Sequence, residues 1–226
     1  MAYSLLAHTI GVGASGTVTT SAIDTTGADL IVVVVAYFEG ITAPTLSDNK
    51  SNTWTGLTAQ VGTTDPSTRI YYCQAPTVGA GHTFKLDNGG LMYGNLAVTA
   101  WSGSVATPFD QQNGTTHLAV TSLQTGSVTP GTGNQLVIAA VSTGAGSSGA
   151  YSIDSGFTIS DQEAYVSGGG EGCGMAYLVQ TSAAAVNPSW SWTGSAEGAV
   201  AIGTFKDGAA AAATIPWPFF TNGVAA

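Results

Sequence analysis

Asp29–Phe38 reads DLIVVVVAYF and Gln135–Gly144 reads QLVIAAVSTG, and the relation between these two stretches decides the fold. Each is a short β-branched and alanine-rich run bounded by turn-forming residues, far below the ~20 residues of a membrane helix. Both faces of such a run are apolar, so each is expected to lie centrally in a sheet and to be covered on both sides. They align at an offset of 106 residues. The same offset relates IYYCQAPTVGAGHTFKL (Ile70–Leu86) to MAYLVQTSAAAVNPSWSW (Met175–Trp192), setting Tyr71 against Tyr177, Gln74 against Gln180 and Phe84 against Trp190. GNLAVTAW (Gly94–Trp101) matches GAVAIGTF (Gly198–Phe205) at 104, and NTWTGL (Asn52–Leu57) matches SGFTIS (Ser155–Ser160) at 103. Near-constant offsets over separated blocks read as an internal repeat, with the small changes falling in loops.

Working outward, HTFKL and PSWSW alternate and should each keep one wet face. Helix-forming Lys, Glu, Arg and Gln are scarce, and the apolar runs are punctuated by Gly, Pro, Asn, Asp and Ser. The expected fold is all-β: an antiparallel β-sandwich of eight or more strands, jelly-roll-like, made of two pseudo-symmetric repeats of about four strands. Residues 1–15 should supply an extra N-terminal strand, and 16–208 the sandwich, with repeat 1 at about 16–104 and repeat 2 at about 126–208. Residues 209–226 are expected to form an extended apolar C-terminal arm. Its Ile215, Pro216, Trp217, Pro218, Phe219 and Phe220 cannot join a central strand, because proline removes ladder donors. An apolar segment of this kind needs a surface to sit on, which makes these six residues the candidate docking group.

Composition narrows the function. Of 226 residues, 8% are charged, and 13 Asp/Glu against 4 Lys/Arg give a net charge of −9. That excludes an electrostatic grip on nucleic acid and argues against a polybasic membrane anchor. The surface has to be built largely from 31 Thr, 21 Ser and 31 Gly. MAYSLLAHTIGVG has no basic n-region, so a secretory signal peptide is not expected. Cys73 and Cys173 are too few for a disulfide framework and read as two buried free thiols.

No catalytic pattern stands out. There is no GxSxG elbow, and His8, His82 and His117 fall in unrelated stretches. Asp161 and Glu163, two apart, would share a strand face, with Glu171 in the following glycine-rich loop; a glycosidase pair is the sharp reading and a solvated strand edge the bland one. SDNKSNTW (Ser47–Trp54) offers Asp48 and Asn52 as oxygen donors but places Lys50 between them, so a turn is expected rather than a calcium loop. Gly168–Gly170 has no lysine and no following helix, and reads as a loop rather than a phosphate cradle. No cofactor or metal is called for. Trp54, Trp101, Trp190 and Trp192 are expected in the core, while Trp217 is the best contact candidate. Gln111, Gln112 and Asn113 in PFDQQNG are the candidate glycan contacts should the protein instead be an adhesion module.

The order TTSAIDTTGADLIVVVVAYF, SDNKSNTWTGL, YYCQAPTVGAGHTF, AVTAWSGSVATPFDQQNG, SVTPGTGNQLVIA, SIDSGFTISDQ and AYLVQTSAAAVNPSWSW resembles a family of β-sandwich domains encoded in tailed-phage genomes and in some bacterial surface proteins. The resemblance covers about Gly16 to Gly208. It implies a structural role in a virion or at a cell surface and carries no catalytic motif. The expectation is a non-enzymatic virion protein, a capsid decoration or cement protein on the particle exterior, assembled in the host cytoplasm. Its partners would be the major capsid protein or other virion proteins, and its own copies in a homo-oligomer. A glycan-binding module of a tail fibre, spike or cell surface is the alternative, and a glycoside hydrolase a more distant one.

Overall fold

The computed structural model describes residues 2–13, 16–38, 44–64, 66–87 and 93–208. The candidate docking residues Ile215, Pro216, Trp217, Pro218, Phe219 and Phe220 lie outside the described residues. The chain runs through β1 (Ser4–Gly11), β2 (Thr17–Thr19), β3 (Leu30–Phe38), β4 (Thr45–Asp48), β5 (Thr55–Gly56), β6 (Gln60–Val61), β7 (Pro66–Gln74) and β8 (Phe84–Asp87). It continues through β9 (Gly94–Ser102), β10 (Ser104–Gln124), β11 (Gln135–Thr143), β12 (Ser148–Ile153), β13 (Thr158–Glu163), β14 (Gly172–Gln180) and β15 (Ser189–Asp207). Among the described residues the structure is all strands and turns.

The strands form a β-sandwich of antiparallel sheets. One six-stranded sheet runs β1-β9-β3-β7-β5, with β6 also on β7; a second runs β10-β15-β11-β14-β13, with β12 also on β15; and a three-stranded sheet runs β2-β8-β4. The two apolar stretches, β3 and β11, are central and buried along nearly their whole length. Period-two geometry splits each between two cores. Leu30, Val32 and Val34 face Leu136, Ile138 and Ala140 in a cluster shared by the two large sheets. Ile31, Val33 and Val35 turn the other way, onto Phe84 and Leu86 of β8. Val137, Ala139 and Val141 likewise turn outward, onto Tyr151, Trp190 and Trp192. The second sheet therefore curls over itself. The early part of β15 pairs with β12 and the end of β10, and the late part with β11. Gly194, at φ 84°, sits at the bend, where the backbone of Gly146 passes too close for any Cβ.

The expectation of four strands per repeat undercounts: each half of the chain builds one large sheet and also its own outer layer. The additional strands are short, as β4, β5 and β6 are, or polar and largely unburied, as β10 is, and so escaped the sequence pattern.

The expected match of Tyr71 with Tyr177 is also corrected. Leu30 pairs with Gln74, whereas Leu136 pairs with Val179, so β14 is displaced by one residue relative to the sequence alignment. A one-residue slip reverses every side chain. Tyr71 accordingly packs in the outer layer, while Tyr177 faces the core between the large sheets. Tyr72 is the residue that shares the facing of Tyr177.

Candidate functional site

Of the carboxylates that sequence alone offers for catalysis, Asp161 is engaged in holding the fold. Asp161 lies on β13 opposite His8 of β1, with His8 Nδ1 3.0 Å from Oδ2 and 3.1 Å from Oδ1. The pair ties an edge strand of one large sheet to an edge strand of the other. Burial pushes the Asp161 carboxyl above the usual carboxylate range, against the lowering effect of His8.

His82 was not marked as an interior residue by the sequence, yet it is fully buried and its ring stacks on Phe84 at 4.2 Å. Its Nδ1 is 3.0 Å from Thr25 Oγ1 and its Nε2 3.7 Å from Asp48 Oδ1. A hydroxyl, an imidazole and a carboxylate in a row is the arrangement nucleophilic catalysis uses, but here all three side chains are sealed from solvent. Burial, the largest influence, holds the His82 pKa below its ordinary value. Asp48 Oδ1 accepts the backbone N–H groups of Lys50 and Asn52, so Ser47–Trp54 is a carboxylate-centred turn. No group of three potential metal ligands occurs among the described residues.

The glycan-contact candidates also serve the chain's own backbone. Gln111 Nε2 donates to Thr129 O and its Oε1 accepts Thr129 N, a side-chain imitation of a β-bridge. Gln112 Oε1 accepts Thr58 N, and Asn113 Nδ2 donates to Ser127 O. Glu171 is buried, and its backbone carbonyl accepts Asn95 Nδ2 at 2.6 Å. Glu197, on β15, accepts the N–H groups of Thr63 and Thr64 and so holds the loop before β7 to the second half of the chain. Trp101, Trp190 and Trp192 are buried, and Trp54 packs edge-on against Phe84. Trp217 lies outside the described residues. Cys73 and Cys173 are free and buried, and burial raises their thiols to about 11 and about 12.

What the structure does bring together is aromatic. Two ring pairs clasp the large sheets from opposite ends of the shared core. Trp101 of β9 meets Tyr177 of β14 at 4.9 Å, and Phe205 of β15 meets Tyr72 of β7 at 5.4 Å, both edge-to-face. The ends differ in what covers them. At the first, Tyr3 packs edge-on against Trp101 and its hydroxyl donates to Lys206 O, closing the core. At the second, Phe109 stacks on Tyr72 at 6.2 Å, and an open cleft of about 390 Å³ remains. Its walls are Thr53 and Thr55, Tyr72 and Gln74, and the run from Ala106 to Phe109. The strands that carry the covering residues also differ: Leu5, two residues after Tyr3, pairs with Trp101, whereas β10 is irregular between Ser104 and Phe109, the residue that pairs with Phe205. The cleft thus joins aromatic edges to hydroxyl and amide groups, with no carboxylate, imidazole, amine or thiol among its lining residues. Sequence reading missed it, although the adjacent tyrosines at 71 and 72 and the isolated Phe109 were its visible traces.

Comparison with family models, with curated proteins and with solved structures finds no match for this chain.

Proposed function

We propose that the protein is a non-enzymatic virion structural protein of the capsid decoration or cement type, fixed to the major capsid protein lattice on the particle exterior. The observation that supports this reading most is the union of a low-charge stack of sheets with the apolar, proline-containing 209–226 segment. Contacts made by apolar burial tolerate salt, and a segment whose φ is restricted at Pro216 and Pro218 has less backbone entropy to lose on docking. We read the chain further as two jelly rolls laid sheet to sheet. The orders β1-β9-β3-β7 with β2-β8-β4, and β10-β15-β11-β14 with β12 beside the start of β15, are those that two such units would produce. Purified particles test the role: the protein should be present at a copy number that tracks the capsid lattice, and removal of Thr214–Ala226 should abolish attachment. Absence from particles, or attachment at wild-type occupancy without the arm, refutes it.

The open Tyr72–Phe109 cleft favours one second reading, a glycan-binding module of a fibre, spike or cell surface. Aromatic edges beside hydroxyls and an amide suit a neutral sugar. Binding on a glycan array that is lost in Tyr72→Ala would select this reading over the first.

A further inference from the structure

We infer that the outer edge of β10 is an interface between two copies of this chain, which pair antiparallel across a twofold axis at Gly114; the inference rests on the assembly role proposed above and supplies a surface for it.

Three observations carry it. First, β10 is the outermost strand of its sheet, and its far edge meets no strand among the described residues. Irregular on either side, its pairing with β15 is regular from Gln112 to His117. Gln111 N donates inward, to Thr204 Oγ1 of β15. Gly114 N instead donates to the side chain of Asn113, and Thr116 O accepts from that of Thr115. Alternation along the strand therefore turns the N–H and C=O groups of Gln112, Gly114 and Thr116 away from β15, held only by local side-chain caps that a strand can replace.

Second, the other outer strands of the large sheets are blunted as β10 is not. β5 and β6 are two residues each. β13 has a bulge and carries Asp161 and Glu163, and β1 has a bulge and is tied to β13 through His8. From Gln111 to Thr116, β10 has neither charge nor proline. In a chain of net charge −9, two copies meet with least repulsion where the surface is uncharged. Two of the large apolar side chains left exposed also lie here, Leu118 on β10 and Val61 on β6, which packs beside β10.

Third, the geometry closes on itself. Identical antiparallel strands must set outward-facing residues against outward-facing ones. A twofold at Gly114 sets Gly114 against itself and Gln112 against Thr116 of the copy, for about six backbone hydrogen bonds. It also sets Asp110 against Leu118, so no carboxylate of the strand opposes another.

The test uses the full chain. Sedimentation velocity over a wide range of concentration should show monomer and dimer in equilibrium. Thr116→Pro removes an outward N–H and no bond to β15, so it should weaken dimerisation at least about tenfold at unchanged melting temperature. Gln112→Cys and Thr116→Cys, each inert alone, should form a disulfide-linked dimer when mixed, since facing residues of such a pair have Cα atoms about 5.5 Å apart. Cys73 and Cys173 are buried and do not compete. Amide exchange over Gln111–His117 that slows as concentration rises supports the interface independently of any substitution. A monomer at every concentration overturns it, as does a dimer that a folded Thr116→Pro leaves intact, a mixture that fails to cross-link, or exchange that ignores concentration. A monomeric protein that still attaches to particles would sink this inference and leave the structural role standing, because occupancy is measured separately.

Discussion

Replacing Trp101 with alanine tests whether the two halves of the chain share one core. The indole is about 1% exposed and lies in the cluster between the large sheets. It packs edge-on against Tyr3 at 6.3 Å and against Tyr177 at 4.9 Å, and its Nε1 donates to Thr99 Oγ1 at 2.8 Å. Loss of a buried tryptophan costs about 3–5 kcal/mol, the upper end applying where neighbours cannot collapse into the space. Collapse is hindered here because the rings of Tyr3 and Tyr177 are held by different strands. In a protein of this length each kcal/mol lowers the melting temperature by about 2–4 °C, so the variant should melt roughly 6–20 °C lower. Because Tyr177 belongs to the second half, calorimetry should show one transition moving as a whole. Tyr177→Leu should couple to Trp101→Ala with about 0.5–1.5 kcal/mol in a double-mutant cycle. A loss below about 1 kcal/mol, or a transition that splits with the second half unmoved, would refute a shared core.

The pH dependence of stability should carry the mark of His82. Its pKa is held below the ordinary 6.5 by burial, so the unfolded chain takes up a proton that the native state refuses. The stability from its neutral form is fully present above pH 6.5 and should drain away as pH falls below it, at up to about 1.4 kcal/mol per pH unit. Asp161 acts in the opposite sense, since its raised pKa lets the native state bind a proton first, so denaturant titrations on an Asp161→Asn background isolate the histidine. An acid limb that persists unchanged in His82→Gln on that background would remove His82 as its source. For the thiols, the shift of Cys73 from 9.0 to about 11 lowers its thiolate population about 100-fold, and Cys173 is shifted further. Native labelling by an aromatic disulfide should therefore be slower than labelling in urea by at least about that factor, with melting insensitive to reductant. Equal rates in the two states would contradict the burial of both residues.

Much of the architecture was legible because it follows from period and burial. The β-branched run of Leu30–Phe38 and its counterpart at Gln135–Thr143 are apolar on both faces, and such strands are stable only when covered twice. The alternation in Phe84-Lys85-Leu86 likewise announced a layer with one wet side, and Phe84 and Leu86 are fully buried while Lys85 is exposed. Register was not legible. Matching Tyr71 to Tyr177 maximises identity, but side-chain facing is fixed by hydrogen-bonded pairing, which leaves no trace in a single sequence when two tyrosines stand side by side. The curl of the second sheet was hidden for a related reason: it depends on Gly194 passing Gly146, two glycines among many, whose proximity is a tertiary fact.

The polar residues show the same division more sharply. A sequence presents Asp161, Gln111, Gln112, Asn113 and His82 as reactive or sticky groups, because composition cannot say what each will meet. In the folded chain the carboxylate meets His8, the amides meet backbone, and the imidazole meets Thr25 and Asp48. With so few charges, the protein relies on side-chain amides, hydroxyls and single carboxylates to join segments that strand pairing leaves apart. A group committed in this way is costly to free, since its removal leaves a backbone N–H or carbonyl unpaired. Where those polar ties stop, aromatic edges begin: beside Tyr72 and Phe109 the two large sheets leave an open cleft.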